Sequence, residues 1–197
     1  MSQRYLVLDA DPANDSLRWD LDEVLREQLP GYGFAYRFRT AEADDLFHDK
    51  WEAKDTRAVL TLVSNRSTPV LYLMIEAGDR ETVDEIAEGL DAKLPFLSLA
   101  ELKDRAAGFD RDPSALVRLA LGSDHPQADA GTVEILERAF SHEQPLIRFR
   151  AAEAAALAPS ADLRAPLEAL AQDDPDESVR QMAEIAGNAC RPDASAS

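Results

Sequence analysis

The chain of 197 residues predicts an α+β fold: a small mixed β-sheet with helices over residues 1–94, then an all-α array of helical hairpins over 95–190, and a disordered tail over 191–197. Three observations predict it. Strand-like and helix-like segments alternate as far as about Leu94, no strand pattern follows Pro95, and one short motif recurs at a helical-repeat spacing in the second half.

The first half begins with "RYLVLD", a strand rich in β-formers. "SLRWDLDEVLREQLPG" places Leu17, Leu21, Val24, Leu25 and Leu29 on one helical stripe, with Ser16 as the expected N-cap and Pro30-Gly31 closing the helix. "FAYRFR" alternates, setting Phe34, Tyr36 and Phe38 against Ala35, Arg37 and Arg39, as a half-buried strand does. The polar run "AEADDLFHDKWEAKDT" reads as a short helix or a lid-like loop, in which Leu46, Phe47 and Trp51 share a face if it is helical. "AVLTLVS" and "PVLYLMIEA" flank "NRST" as a hairpin, with Pro69 where a missing N–H is tolerated. "RETVDEIAEGLDAKL" closes the half as an amphipathic helix through Val83, Ile86, Ala87, Leu90 and Leu94. This order predicts a mixed four-stranded sheet with helices on one face.

In the second half "DPSALVR", "HEQPLIR" and "DPDESVR" align, each ending in a β-branched residue and an arginine. The arginines are Arg118, Arg148 and Arg180, 30 and 32 residues apart. "LSLAELKDRAAG", "TVEILERAFSH" and "LRAPLEALAQ" read as first helices of three pairs. "SALVRLALG", "LIRFRAAEAAAL" and "ESVRQMAEIAG" read as second helices, with Ala151, Ala154, Ala183 and Ala186 where axes must approach closely. Pro166 falls in a first turn, where it is tolerated.

These stretches resemble HEAT-like repeats of the bilin-lyase type, best in "DPDESVRQMAEIAG" and "DPSALVRLALG"; the middle unit departs, with His142 in place of Asp. The resemblance covers about residues 95–190. It implies a structural ladder in which Asp112, Asp174, Arg118, Arg148 and Arg180 tie successive units together, and it leaves Arg150, outside the ladder, as the residue to touch a partner. It also implies an alternative function, handling of a chromophore or small ligand, which nothing in the first half supports.

The formal net charge of -17 repels phosphate backbones and anionic lipid, so nucleic-acid and membrane partners are not expected and a basic protein partner is. The single cysteine, Cys190, excludes an internal disulfide and a Cys-based zinc site. His48, His125 and His142 show no ligand spacing. No signal-peptide pattern opens the chain, and a cytoplasmic location is the expectation. Asp9 and Asp11, at the end of the first strand, are the weak metal candidates and would serve a metal-dependent phosphatase. Its companions do not assemble: Ser64 lies in a hairpin arm, and Asp173 and Asp174 belong to a repeat turn. The expectation is therefore a non-catalytic, cofactor-free interaction module, a scaffold or adaptor, in its most concrete form an inhibitor or immunity-type protein binding a basic partner.

Overall fold

Strand β1 (Ser2–Val7) opens a computed structural model that describes residues 1–43, 45–123 and 128–191. It is followed by helix α1 (Leu17–Gln28), strands β2 (Ala35–Ala43), β3 (Leu46–Glu52), β4 (Val59–Asn65) and β5 (Val70–Ala77), and helix α2 (Arg80–Asp91). Six helices come next: α3 (Leu99–Ala107), α4 (Ser114–Gly122), α5 (Ala130–Phe140), α6 (Pro145–Leu157), α7 (Arg164–Asp173) and α8 (Glu177–Ala189). The chain divides into two compact units, Met1–Leu97 and one beginning at Ser98.

In the first unit the α+β class holds, but the sheet is larger than the pattern implied. It has five strands in the order β1-β5-β4-β3-β2, and every neighbouring pair is antiparallel. The extra strand is β3, in the segment expected to be a helix or lid. Phe47, Asp49 and Trp51 alternate toward the same face as Ser64, Leu62 and Leu60 of β4. Asp49 is 2 % exposed, so a charged residue occupies an inward position and interrupts the apolar alternation that announces a strand. With β3 inserted, no parallel neighbours remain, and the connection through α1 runs from one edge strand to the other.

The β4–β5 hairpin forms as read, with Asn65 opposite Val70 and the Asn65 side chain accepting from Thr68 N at 3.0 Å. The β2 alternation does not run through. A register shift between Tyr36 and Phe38 makes Arg37 the extra residue, which turns Tyr36 and Arg39 to one face and leaves Phe38 48 % exposed. Ser16 is helical in backbone and its side chain caps nothing; its hydroxyl and N–H both go to Asn14. α2, by contrast, is capped by Asp79, which accepts from Thr82 N at 2.8 Å.

Leu21 and Leu25 of α1, Ile86 and Leu90 of α2, and Leu60, Leu73 and Ile75 of the sheet form one buried core. Each such side chain contributes about 1.5–3 kcal/mol on burial. The end of α1 comes close enough to α2 that a Cβ on Gly89 would stand 2.8 Å from Leu29 Cδ2, which is why glycine fits there. The unit closes when the chain after α2 returns beside β1: Asp9 N donates to Pro95 O at 2.8 Å and Leu97 N to Val7 O at 2.9 Å.

The second unit consists of the pairs α3/α4, α5/α6 and α7/α8, with α4, α6 and α8 packed in succession. All six helices lie where the repeats place them. Ala151, Ala154, Ala183 and Ala186 are fully buried, and the small side chains let α6 and α8 approach closely. Asp129 caps α5, Asp176 caps α8, and Ser98 with Glu101 forms a reciprocal cap on α3. The tail expected from 191 lies, from 192 onward, outside the described residues, as does His125.

Candidate functional site

Turn residues set the spacing of the second unit. Asp174, at the start of the turn into α8, accepts Asp176 N at 2.9 Å and receives both edges of a fork from Arg148 of α6: Nε to Oδ2 at 2.6 Å and Nη2 to Oδ1 at 2.8 Å. The Arg148 side chain is 10 % exposed and that of Asp174 2 %. The remaining nitrogen, Nη1, donates to His142 O and Glu143 O at 2.8 and 2.9 Å. Hydrogen bonding to Arg148 holds the Asp174 carboxyl below its ordinary pKa, and the same bond raises Arg148. The second and third pairs are thus joined by a buried, bidentate ion pair.

The other ladder residues behave differently. Arg118 donates to Asp112 Oδ2 at 2.7 Å and Ser114 Oγ at 2.6 Å, all within one turn, so this pair links no second repeat. Arg180 donates to the Asp174 carbonyl at 2.7 Å. Arg150, the expected partner-touching residue, is 16 % exposed and bound to Glu153 at 2.6 Å within α6, which leaves little of its guanidinium for a partner.

Beside the Arg148–Asp174 pair a groove of about 590 Å³ opens between α5 and α7. Its apolar lining comes from Phe140, Pro166, Ala169 and Leu170, beside the polar Ser141, His142 and the Arg148–Asp174 pair. Glu137 on α5 and Asp173 at the end of α7 stand exposed on its margins, and among the described residues neither has an ion-pair partner. Apolar side chains beside two carboxylates that have no ion-pair partner among the described residues suit an aliphatic stem that ends in a cation. The repeat reading passed over Glu137, which lies outside the recurring motif, and took Asp173 only as part of a repeat turn; their signal is that α5 and α7 each carry one acid toward the groove.

In the first unit the polar centre is Asp49. It accepts from Tyr36 Oη at 2.8 Å and Arg39 Nε at 3.1 Å, and Arg18 Nη1 stands at 3.7 Å. Arg39 reaches on to Asp15 at 2.8 Å, and this bond lowers the Asp15 pKa. Burial, and then the bond to Asp49, pushes the Tyr36 hydroxyl up. A small cavity of about 60 Å³ is lined by Arg18, Trp19, Asp22, Tyr36 and Trp51, with the Arg18 guanidinium 4.5 Å from the Trp19 ring. Asp49 is saturated by its own neighbours and its cation–π shelf is filled by Arg18, so the cluster works as a polar clasp within the fold.

Asp9 and Asp11 follow β1 on an exposed loop, where Asp11 Oδ1 accepts Ala13 N at 2.8 Å and closes a side-chain turn. Among the described residues no three His, Cys, Asp or Glu side chains gather in a group able to hold a metal. His142 is bound to Asp110 at 2.9 Å and His48 to Glu42 at 3.3 Å. Cys190 is a buried free thiol whose pKa burial raises, a setting that disfavours the reactive thiolate. Among the described residues no helix is long and apolar enough to cross a membrane.

Comparison with known families matches residues 99–186 to HEAT repeats, which covers all three helical pairs; the match does not extend into the first unit. Comparisons with curated proteins and with solved structures found no match. The C-terminal unit is thus a helical-repeat array similar to HEAT repeats, scaffolds that commonly mediate protein interaction and are typically non-catalytic.

Proposed function

We propose that this protein binds a basic segment of another protein in the groove between α5 and α7, and that it acts by occupancy rather than by catalysis. The observation that carries the reading is the pairing of the apolar side chains of the groove with Glu137 and Asp173, two carboxylates without an ion-pair partner among the described residues, on a chain of net charge -17. A lysine or arginine would lay its stem on Phe140 and Leu170 and bring its charge between the two acids. Association with such a partner is fast and salt-sensitive, since long-range attraction between opposite charges is screened within about 8 Å at physiological ionic strength. In its specific form the protein is an inhibitor or immunity-type molecule that occludes a basic surface, working in the cytoplasm.

The test compares wild-type protein with a Glu137→Lys/Asp173→Lys double variant as bait in the native host's extract, followed by binding of the recovered partner in purified form. A basic partner whose affinity drops at least about tenfold in the variant, and again when salt is raised from about 50 to about 500 mM, supports the reading. A partner with no basic surface, or one indifferent to both changes, defeats it.

A further inference from the structure

Three arginines occupy the same place in successive helical pairs, and what completes each guanidinium differs. Arg148 rests Nη1 on a carbonyl six residues back, His142 O, and turns its Nε–Nη2 edge to Asp174 of the next pair. Arg180 reproduces the first half of this arrangement, with Nη1 donating to Asp174 O, again six residues back. Among the described residues its Nε and Nη2 have no acceptor. Arg118 shows the outcome where the following turn has no carboxylate at the position of Asp174: His142 stands there, Arg118 folds back on Asp112 and Ser114, and its Nε is buried without an acceptor among the described residues.

We propose that Arg180 is a docking point for a carboxylate at the start of a helix in a partner protein, which takes toward Arg180 the place that Asp174 takes toward Arg148. The chemistry of the occupant follows from the rung below. There an aspartate preceding a helix meets this guanidinium edge at 2.6 and 2.8 Å, and the fork selects a planar, bidentate anion over a single acceptor. Arg180 is already anchored through Nη1, so less side-chain freedom is lost when the other edge is engaged.

The contact is confined to the turn. Glu184, exposed on α8, stands 32 residues after the buried Ala152 of α6, the same step that separates Arg180 from Arg148. An element packed flush along α8 would have to bury that charge, so a carboxylate reaching Arg180 meets it at the turn. The proposal does not rest on the groove reading, because it concerns a separate residue and a ligand of opposite charge.

The test follows the arginine Nε–H resonances of the full chain by NMR during titration with an alanine-based helical peptide carrying Asp as its N-cap and no other charge. The expected result is a shift of the Arg180 Nε–H with Arg148 unmoved, binding about fivefold tighter than the matching Asn-capped peptide, and loss of that preference in Arg180→Lys. Arg180→Lys keeps the charge and one donor toward Asp174 O, so it separates loss of the fork from loss of the fold. An Arg180 resonance unmoved at about 5 mM peptide, or equal binding of the Asn peptide, overturns the proposal. So does sedimentation showing that the chain alone associates through a contact abolished by Arg180→Lys, since the occupant would then be a second copy.

Discussion

Asp49 and Asp174 are both aspartates of 2 % side-chain exposure, one in each unit, and both are neutralised by arginine. They differ in how the chain finds the partner. Asp174 takes one arginine in a two-pronged fork from the preceding repeat. Asp49 gathers Tyr36 and Arg39 from β2 and Arg18 from α1, across a bulge and a helical crossover. A repeat brings equivalent positions to equivalent places, so where the motif is kept, as at Asp174, the partner is written into the period, and where His142 breaks it that rung is lost. A sheet delivers it through register, which a single extra residue such as Arg37 reverses.

The largest effect that tests this comparison is at Asp174. Asp174→Ala leaves Arg148 charged and buried, and is expected to cost about 3–5 kcal/mol. Asp112→Ala, at a side chain 46 % exposed and paired only within its turn, is expected to cost about 1 kcal/mol. Both are read by urea denaturation followed at 222 nm. Equal costs would show that the two Asp-Arg pairs are the same kind of interaction, and the distinction between a rung and a turn would fall.

Asp49→Asn comes next, with an expected cost of about 2 kcal/mol from weakened charge-assisted bonds to Arg39 and Tyr36. Both tryptophans, Trp19 and Trp51, lie in the first unit, so tryptophan fluorescence reports that unit alone. Fluorescence should shift to lower urea, while the effect of Asp174→Ala should appear in the helical signal. A fluorescence midpoint unmoved by Asp49→Asn would deny Asp49 its role in the clasp.

Acid sharpens the contrast further. The folded pKa of Asp174 lies below the unfolded value, about 3.9 for aspartate, because Arg148 bonds the ionised form. Its contribution is therefore fully present above the unfolded value and is lost as pH falls through the folded one. Helical stability of wild type should drop steeply below about pH 4, and this part of the drop should be missing from Asp174→Asn. A variant with the same acid limb as wild type would place the effect on other carboxylates.

What could be read from the sequence follows the same division. All six helices of the array, the close-packed alanines and the fact that position 142 breaks the motif are visible in the repeat. In the first unit the alternating and 3.6-residue patterns of β1, β4, β5, α1 and α2 are visible too, because their inward positions are mostly apolar and none buries a charge; the buried Thr61 and Ser64 of β4 are uncharged. β3 was hidden by Asp49, a charge on the inward face, and the parity change in β2 was hidden by its bulge. The groove acids Glu137 and Asp173 carry no pattern of their own; only the folded pairing of α5 with α7 sets them on one groove.

The smallest test concerns the two helix starts of the first unit. Ser16 stands before α1 as a cap residue should, yet its hydroxyl is turned back to Asn14 and its backbone is already helical. Asn14 does the capping chemistry one step earlier, by accepting the Ser16 N–H at 3.1 Å, so the loop "DPANDS" is ordered by its own turns before the helix begins. Asp79 keeps the ordinary arrangement, in extended backbone with its carboxylate on Thr82 N. Asp79→Ala should therefore cost about 1 kcal/mol, and Ser16→Ala no more than about 0.5 kcal/mol. If Ser16→Ala proves as costly as Asp79→Ala in the fluorescence-monitored unfolding, α1 is capped in solution by the residue its sequence names, and the Asx turn at Asn14 is not what starts the helix.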